Sequence, residues 1–163
     1  MRLHHIGIVI GSEEDIAVWR EMFGLREICR DRVAAYECEC IFLTDEAGHR
    51  LELIIAGPGG GPRKLRPGLH HLAFECDRLD RRAAEWAELG IPLVEPAPVT
   101  GALGLLINFL APVYTRGVRV ELVQEPADWP RCRGMASETA RAMETAARLP
   151  PSANVPPPPN GRG

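Results

Sequence analysis

The chain repeats itself, and that limits its possible architectures more than any other feature. Leu3-His4-His5-Ile6-Gly7-Ile8-Val9-Ile10 is echoed 66 residues on by Leu69-His70-His71-Leu72-Ala73-Phe74-Glu75-Cys76. Trp19 is answered by Trp86, and Phe23-Gly24-Leu25 by Leu89-Gly90-Ile91. Arg50-Leu51-Glu52-Leu53-Ile54 is answered by Arg119-Val120-Glu121-Leu122-Val123, at an offset of 69. Four landmarks in one order, with offsets drifting by three residues, describe a tandem duplication of one supersecondary unit. Such a unit buries its apolar face against its twin, and 163 residues suffice for one shared core.

Each unit has the same layout. An alternating, β-branched run (3–10, then 69–76) reads as a strand. A helix follows, with Ser12 and Asp77 expected as N-caps. Ile16, Trp19 and Phe23, and then Leu79, Ala83 and Trp86, form one apolar stripe per helix, the tryptophans acting as core anchors. Gly24 and Gly90 stand where helices stop. Three more strand-like runs follow each helix: 27–34, 36–44 and 49–56, then 91–95, 104–110 and 117–124. The expectation is an α+β fold of two βαβββ modules, 1–57 and 68–126, joined by a Gly/Pro-rich linker at 58–67. A partly helical extension is expected at 127–148 and a disordered, proline-rich tail at 149–163.

Strand alternation then selects chemistry. His4 shares a face with Ile6, Ile8 and Ile10, and His70 with Leu72, Phe74 and Cys76; that bulky face is expected to cover the helix. His5 and His71 fall on the opposite face, as do Glu52 and Glu121 in the last strands. Packed as pseudo-symmetric halves, the modules would bring two imidazoles and two carboxylates onto one concave surface. That donor set suits one divalent ion such as Co, Mn, Zn, Ni or Fe and leaves positions open for substrate. A structural zinc site would draw on cysteines instead.

Composition narrows the remaining classes. Nineteen basic against 22 acidic residues give a net charge of −3, which argues against a nucleic-acid partner. No apolar run approaches the roughly 18 residues of a membrane span. Five cysteines and no leader-like N-terminus read as a cytoplasmic protein with reduced thiols. Cys38 and Cys40 share a strand face and read as semi-buried apolar residues, with Glu37 and Glu39 on the other face. Arg63, Lys64 and Arg66 read as a solvated basic loop, and Tyr36 and Tyr114 as rim residues.

At the double-histidine strands, Leu51-Glu52-Leu53, Ile107-Asn108-Phe109-Leu110 and Gly117-Val118-Arg119-Val120-Glu121-Leu122, the sequence resembles the vicinal oxygen chelate superfamily over about residues 3–125. That superfamily holds the glyoxalases, extradiol dioxygenases, methylmalonyl-CoA epimerases and the fosfomycin- and bleomycin-resistance proteins. The epimerase-like branch is the nearest. The resemblance implies two βαβββ modules forming a cupped, eight-stranded incomplete barrel around one metal, with ligands at His5, Glu52, His71 and Glu121. It also implies a small-molecule substrate of acyl-CoA type, a homodimer, and stabilisation of an enolate by the metal after loss of an α-proton. Glu121 would double as an acid or base. The epimerases' second catalytic glutamate aligns with Ala35, and Glu37 is the replacement two residues away. Ala111-Pro112-Val113 stands where the epimerases carry His-Pro-Lys. Gly101-Ala102-Leu103-Gly104 resembles the loop that closes over the ligand. Glyoxalase-type isomerisation, thiol transfer, dioxygenation and metal-free sequestration of a small molecule remain alternatives on the same scaffold.

Overall fold

The two histidine-bearing segments pair with each other. In a computed structural model, which describes residues 1–57, 65–127 and 129, Arg2–Ile10 (β1) runs antiparallel to Gly68–Glu75 (β5) at the centre of an eight-stranded sheet. The first module adds helix Glu14–Phe23 (α1) and strands Arg26–Val33 (β2), Cys38–Thr44 (β3) and Arg50–Ala56 (β4). The second adds helix Leu79–Glu88 (α2) and strands Val99–Thr100 (β6), Leu106–Leu110 (β7) and Val120–Gln124 (β8). The strand order is β2-β3-β4-β1-β5-β8-β7-β6, with β4 parallel to β1 and β8 parallel to β5. This α+β arrangement repeats its pairing pattern on either side of the β1–β5 seam, as a duplication requires. The edges approach each other where Leu103 N donates to Asp31 Oδ2 at 2.7 Å, tying the loop after β6 to β2.

Both sheet faces are buried, by different partners. On the helix side Ile10, Ile41, Leu43 and Leu53 pack on Ile16 of α1, with Trp19 against them. On the concave side Val9, Cys40, Phe42, Ile54, Ala73, Ile107, Phe109 and Val123 form one cluster drawn from both modules. The 2.0-residue period of β3 distributes Cys38, Cys40 and Phe42 to the concave cluster and Ile41 and Leu43 to the helix.

Several local expectations give way to tertiary contacts. Neither Ser12 nor Asp77 caps a helix: the helices start after Glu13 and Arg78. Asp15 Oδ2 instead accepts from Gly11 N and Ser12 N, and Gln124 Oε1 of β8 accepts from Leu79 N, so donors near each helix start are satisfied from elsewhere. Gly24 does end α1 in the left-handed region (φ 65°), and Gly90 (φ 75°) follows α2. Phe23 is 60% exposed and stacks on Trp19 at the end of the stripe rather than entering the core. The run 91–95 is no strand. Pro92, Pro96 and Pro98 deprive that segment of backbone donors, Leu93 makes a single bridge to Leu110, and the edge strand forms only at Val99–Thr100. Residues 58–64 of the linker, and all of the extension and tail except Ala127 and Trp129, lie outside the described residues.

Leu53 is fully enclosed between sheet and α1. Leu53→Ala is expected to lower unfolding free energy by about 2–5 kcal/mol in a denaturant titration, through lost transfer energy and the cavity left behind.

Candidate metal centre

Two rows of residues crossing the sheet build the site. In one, Phe42 of β3 lies beside Glu52 of β4, which lies beside Gly7 of β1, which lies beside His71 of β5. In the other, Phe109 of β7 lies beside Glu121 of β8, then Ala73 of β5, then His5 of β1. The rows are repeat images of each other. Each places one small residue in the middle, and at Gly7 the reason is direct: a Cβ there would stand 2.2 Å from His71 Cε1. The His71 imidazole therefore lies over a backbone that only glycine leaves bare.

All four polar side chains are buried. His5 Nε2 lies 2.9 Å from His71 Nε2, 3.4 Å from Glu52 Oε2 and 3.3 Å from Glu121 Oε2. His71 Nε2 lies 3.4 Å from Glu52 Oε2 and 3.5 Å from Glu121 Oε2. Ligand atoms of His5, Glu52 and His71 all fall within 4.8 Å of one another. With metal–ligand bonds of about 2.0–2.2 Å, neighbouring donors in a tetrahedral or octahedral shell are roughly 2.8–3.6 Å apart. The five separations fall in that window, so His5, Glu52 and His71 form a group that could hold one ion, with Glu121 beside both imidazoles, and nitrogen with carboxylate donors fits a borderline divalent metal.

Without an ion, the cluster is held by charge. Burial disfavours an imidazolium at His5, but Glu52 and Glu121 outweigh it and raise its pKa to about 9. Burial pushes His71 down to about 3, with repulsion from His5 adding to it and Glu52 opposing. Burial works against ionised Glu52 too, yet the two histidines hold its pKa down to about 2. Glu121 is shifted upward, chiefly by burial and against the pull of His5.

The structure also recruits two residues that alternation assigned to the other face. The β1–β5 register slips between Leu3/His5 and between Gly7/Ile8, which leaves His4 and His70 as the extra residues of two symmetric bulges. Both rings turn behind their neighbours. His4 Nδ1 lies 2.6 Å from His5 Nδ1, and His70 Nδ1 lies 2.8 Å from His71 Nδ1. His4 Nε2 meets Glu125 Oε1 at 3.0 Å beside Arg50. Burial, with His5 and Arg50 nearby, depresses His4 to about 3 and keeps it neutral. His4 Nε2 thus faces both an acceptor, Glu125 Oε1, and a donor, Arg50 Nη1 at 2.9 Å, while its Nδ1 faces His5 Nδ1. His5 Nε2 points to the centre of the quartet, where a bound ion would replace the proton that His5 otherwise carries. A bulge carries no sequence signature here; the repetition of the whole doublet, rather than of one histidine, was the available clue.

The remaining candidates separate clearly. A cavity of about 70 Å³ opens beside the quartet, walled mainly by apolar side chains including Val33, Ile54, Leu105, Ile107 and Phe109. Cys38 and Cys40, with Sγ atoms 3.9 Å apart, line it, as do Tyr36, Gly101 and Ala102. Glu37 does not: it is exposed, in the left-handed region (φ 50°), with its carbonyl accepting from Gly57 N. Because β3 turns its cysteines inward, Glu39 faces outward to Arg30 at 3.3 Å. Tyr114 is 43% exposed and leaves the cavity wall. Arg66 is exposed, and Arg63 and Lys64 are outside the described residues. No disulfide joins the described cysteines, and no helix among the described residues is long and apolar enough to cross a membrane.

Two outcomes are expected. His4→Ala should weaken manganese or zinc binding about 10–100-fold in a chelator competition, while His4→Asn, which keeps a hydrogen-bonding group near the Nδ1 position, should recover most of it. In chelator-treated protein, stability should peak near pH 6.5. His5 binds its proton more tightly when folded, so its contribution is complete below 6.5 and lost as pH rises through about 9. His4 and His71 bind theirs less tightly when folded, so stability also falls as the solution is acidified below 6.5. Urea midpoints across pH 5–10 test this, and a flat profile between 6.5 and 9 contradicts it.

Comparisons with known proteins bear on the family and the fold. The sequence profile described as the Glyoxalase/Bleomycin resistance protein/Dioxygenase superfamily matches residues 4–109. The uncharacterized protein YqjC of Bacillus subtilis is 32% identical over 134 residues, covering 78% of this chain and 94% of that protein. Among solved structures, a variant methylmalonyl-CoA epimerase of Streptomyces coelicolor in complex with 2-nitronate-propionyl-CoA superposes with a TM-score of 0.70 at 25% identity, over 78% of this chain and 96% of that one. The methylmalonyl-CoA epimerase of Mycobacterium tuberculosis gives 0.71 at 20% identity, over 77% and 88%, a likeness of fold. With its duplicated modules, its eight-stranded cup and a matching profile over most of both halves, the chain belongs to the glyoxalase/bleomycin resistance/dioxygenase superfamily.

Proposed function

We propose that this protein is a metal-dependent isomerase or epimerase that moves a proton α to a carbonyl, on a small acid or its thioester, in the manner of the methylmalonyl-CoA epimerases it resembles. The observation that carries the reading is the buried His5–Glu52–His71–Glu121 quartet beside an apolar cavity. A purely sequestering cup gives no physical reason to turn four metal-competent groups inward. His5, Glu52, His71 and Glu121 would hold one divalent ion. Bound there, it supplies Lewis acidity that lowers the cost of negative charge on two neighbouring substrate oxygens. Glu121 removes and returns the α-proton. The apolar walls exclude water and strengthen each of these electrostatic contacts. The substrate is a small molecule of acyl-CoA type, and the enzyme works as a cytoplasmic homodimer.

The exposed position of Glu37 favours a second reading of the same site. With Glu121 as the single proton-transfer carboxylate, one base would return the proton to the same face or to a neighbouring carbon, as in a glyoxalase-type isomerisation. Epimerisation by two opposed bases would need a partner other than Glu37.

The test is α-proton exchange with methylmalonyl-CoA in heavy water, followed by NMR, using protein loaded with manganese or cobalt. Exchange should occur, Glu121→Gln should slow it about 100-fold or more, and Glu37→Gln should leave it within about twofold, as an exposed side chain outside the cavity should. Metal-loaded protein that neither exchanges the proton nor interconverts the epimers sinks the reading.

A further inference from the structure

The repeat has diverged at one position in a way that points to the substrate. In the first module, the ring behind the candidate ligand His5 ends on a carboxylate. Glu125 Oε1 meets His4 Nε2 at 3.0 Å and Arg50 Nη1 at 3.1 Å, so that cation is neutralised within the protein. The second module presents the same donors. His70 stands behind His71, and Arg119, the repeat image of Arg50, reaches His70 Nε2 through Nη1. Among the described residues, however, no carboxylate lies within ion-pair distance of Arg119.

Arg119 is also placed differently from Arg50. It lines the cavity that contains the quartet, whereas Arg50 does not. It stands two residues before Glu121, so it shares the cavity face of that strand, roughly 6–7 Å along the backbone from the candidate metal ligand. The guanidinium is a half-buried cation where the quartet meets the cavity's apolar walls. Partial burial without a counter-charge is costly, and the planar guanidinium fork matches a carboxylate through two parallel hydrogen bonds.

We propose that Arg119 is the substrate-recognition residue of this cavity, where it binds a carboxylate of the substrate's acid portion and so completes the arrangement that Glu125 completes in the first module. The site therefore selects small carboxylates, or thioesters that keep a free carboxylate, over their neutral analogues. This rests on the cavity being the substrate site, as in the function proposed above, and not on the particular reaction assigned to it.

Calorimetry with malonate as the probe, on metal-free and manganese-loaded protein, tests it, with monomethyl malonate and inorganic phosphate as comparators. Arg119→Gln is expected to weaken malonate binding by about tenfold or more and to reduce the preference for malonate over its monoester. Because Arg119 touches His70, the ring behind the candidate ligand His71, the metal-free arm is the one that reads carboxylate recognition apart from any effect on manganese. Arg119→Lys should restore part of the loss, which separates recognition from a general packing defect. Equal malonate affinity in wild type and Arg119→Gln, or no malonate binding by the wild type, overturns the proposal. So does Arg119-dependent binding of phosphate without malonate. Failure of the wild type to bind manganese is a separate result that counts against the metal centre alone, because the malonate comparison is also made without metal.

Discussion

Four ionisable side chains buried around one point are the constraint on which the rest of this structure depends. Burying His5, Glu52, His71 and Glu121 together is tolerable because each imidazole lies within 3.5 Å of both carboxylates, so that no charge is left alone. That mutual satisfaction dictates the β1–β5 pairing, since sliding either strand by one residue would carry its histidine to the helix face. It also dictates the small residues at the centre of each row, Gly7, over which the His71 imidazole lies, and Ala73 beside His5.

The bulges show how the same strands serve two demands. A regular β1 would send His4 toward α1, where a polar ring would need a partner among aliphatic side chains. The slipped register turns it behind His5, and Glu125 and Arg50 satisfy its far nitrogen. His70 repeats the arrangement behind His71. Each candidate ligand is therefore oriented by a ring that is itself oriented, and such support keeps donor atoms within a few tenths of an ångström of a useful geometry. Trp129, packed against Phe42 and His4, closes the first of these stacks.

Duplication supplies the symmetry, and function lies in its departures. The modules match in the quartet, the bulges and the central pairing. They differ where proline removes the strand expected at 91–95, where Ala73 stands for Gly7, and where Arg119 faces the cavity while Arg50 is closed by Glu125. A symmetric cup holds an ion equally from both sides. An asymmetric wall is what can distinguish one end of a substrate from the other.

The sequence alone determined the duplication, the α+β class, most of the strands and the inward set of His5, Glu52, His71 and Glu121, because all of these follow from periodicity and from recurrence at a fixed offset. Those signals are local, and they hold wherever the backbone stays regular. Tertiary structure decided the rest. It moved His4 and His70 behind the candidate ligands, since a one-residue bulge inverts the alternation on which the reading relied. It put Glu37 outside the cavity, because β3 presents Cys38 and Cys40 to the concave side and the chain enters it through a left-handed turn. It replaced the expected helix caps with Asp15 and with Gln124, a residue 45 positions away in sequence from the amide it satisfies. The bulges and the Gln124 contact are set by pairing between distant segments, which no window of neighbouring residues encodes, whereas Asp15 reaches only three and four residues back.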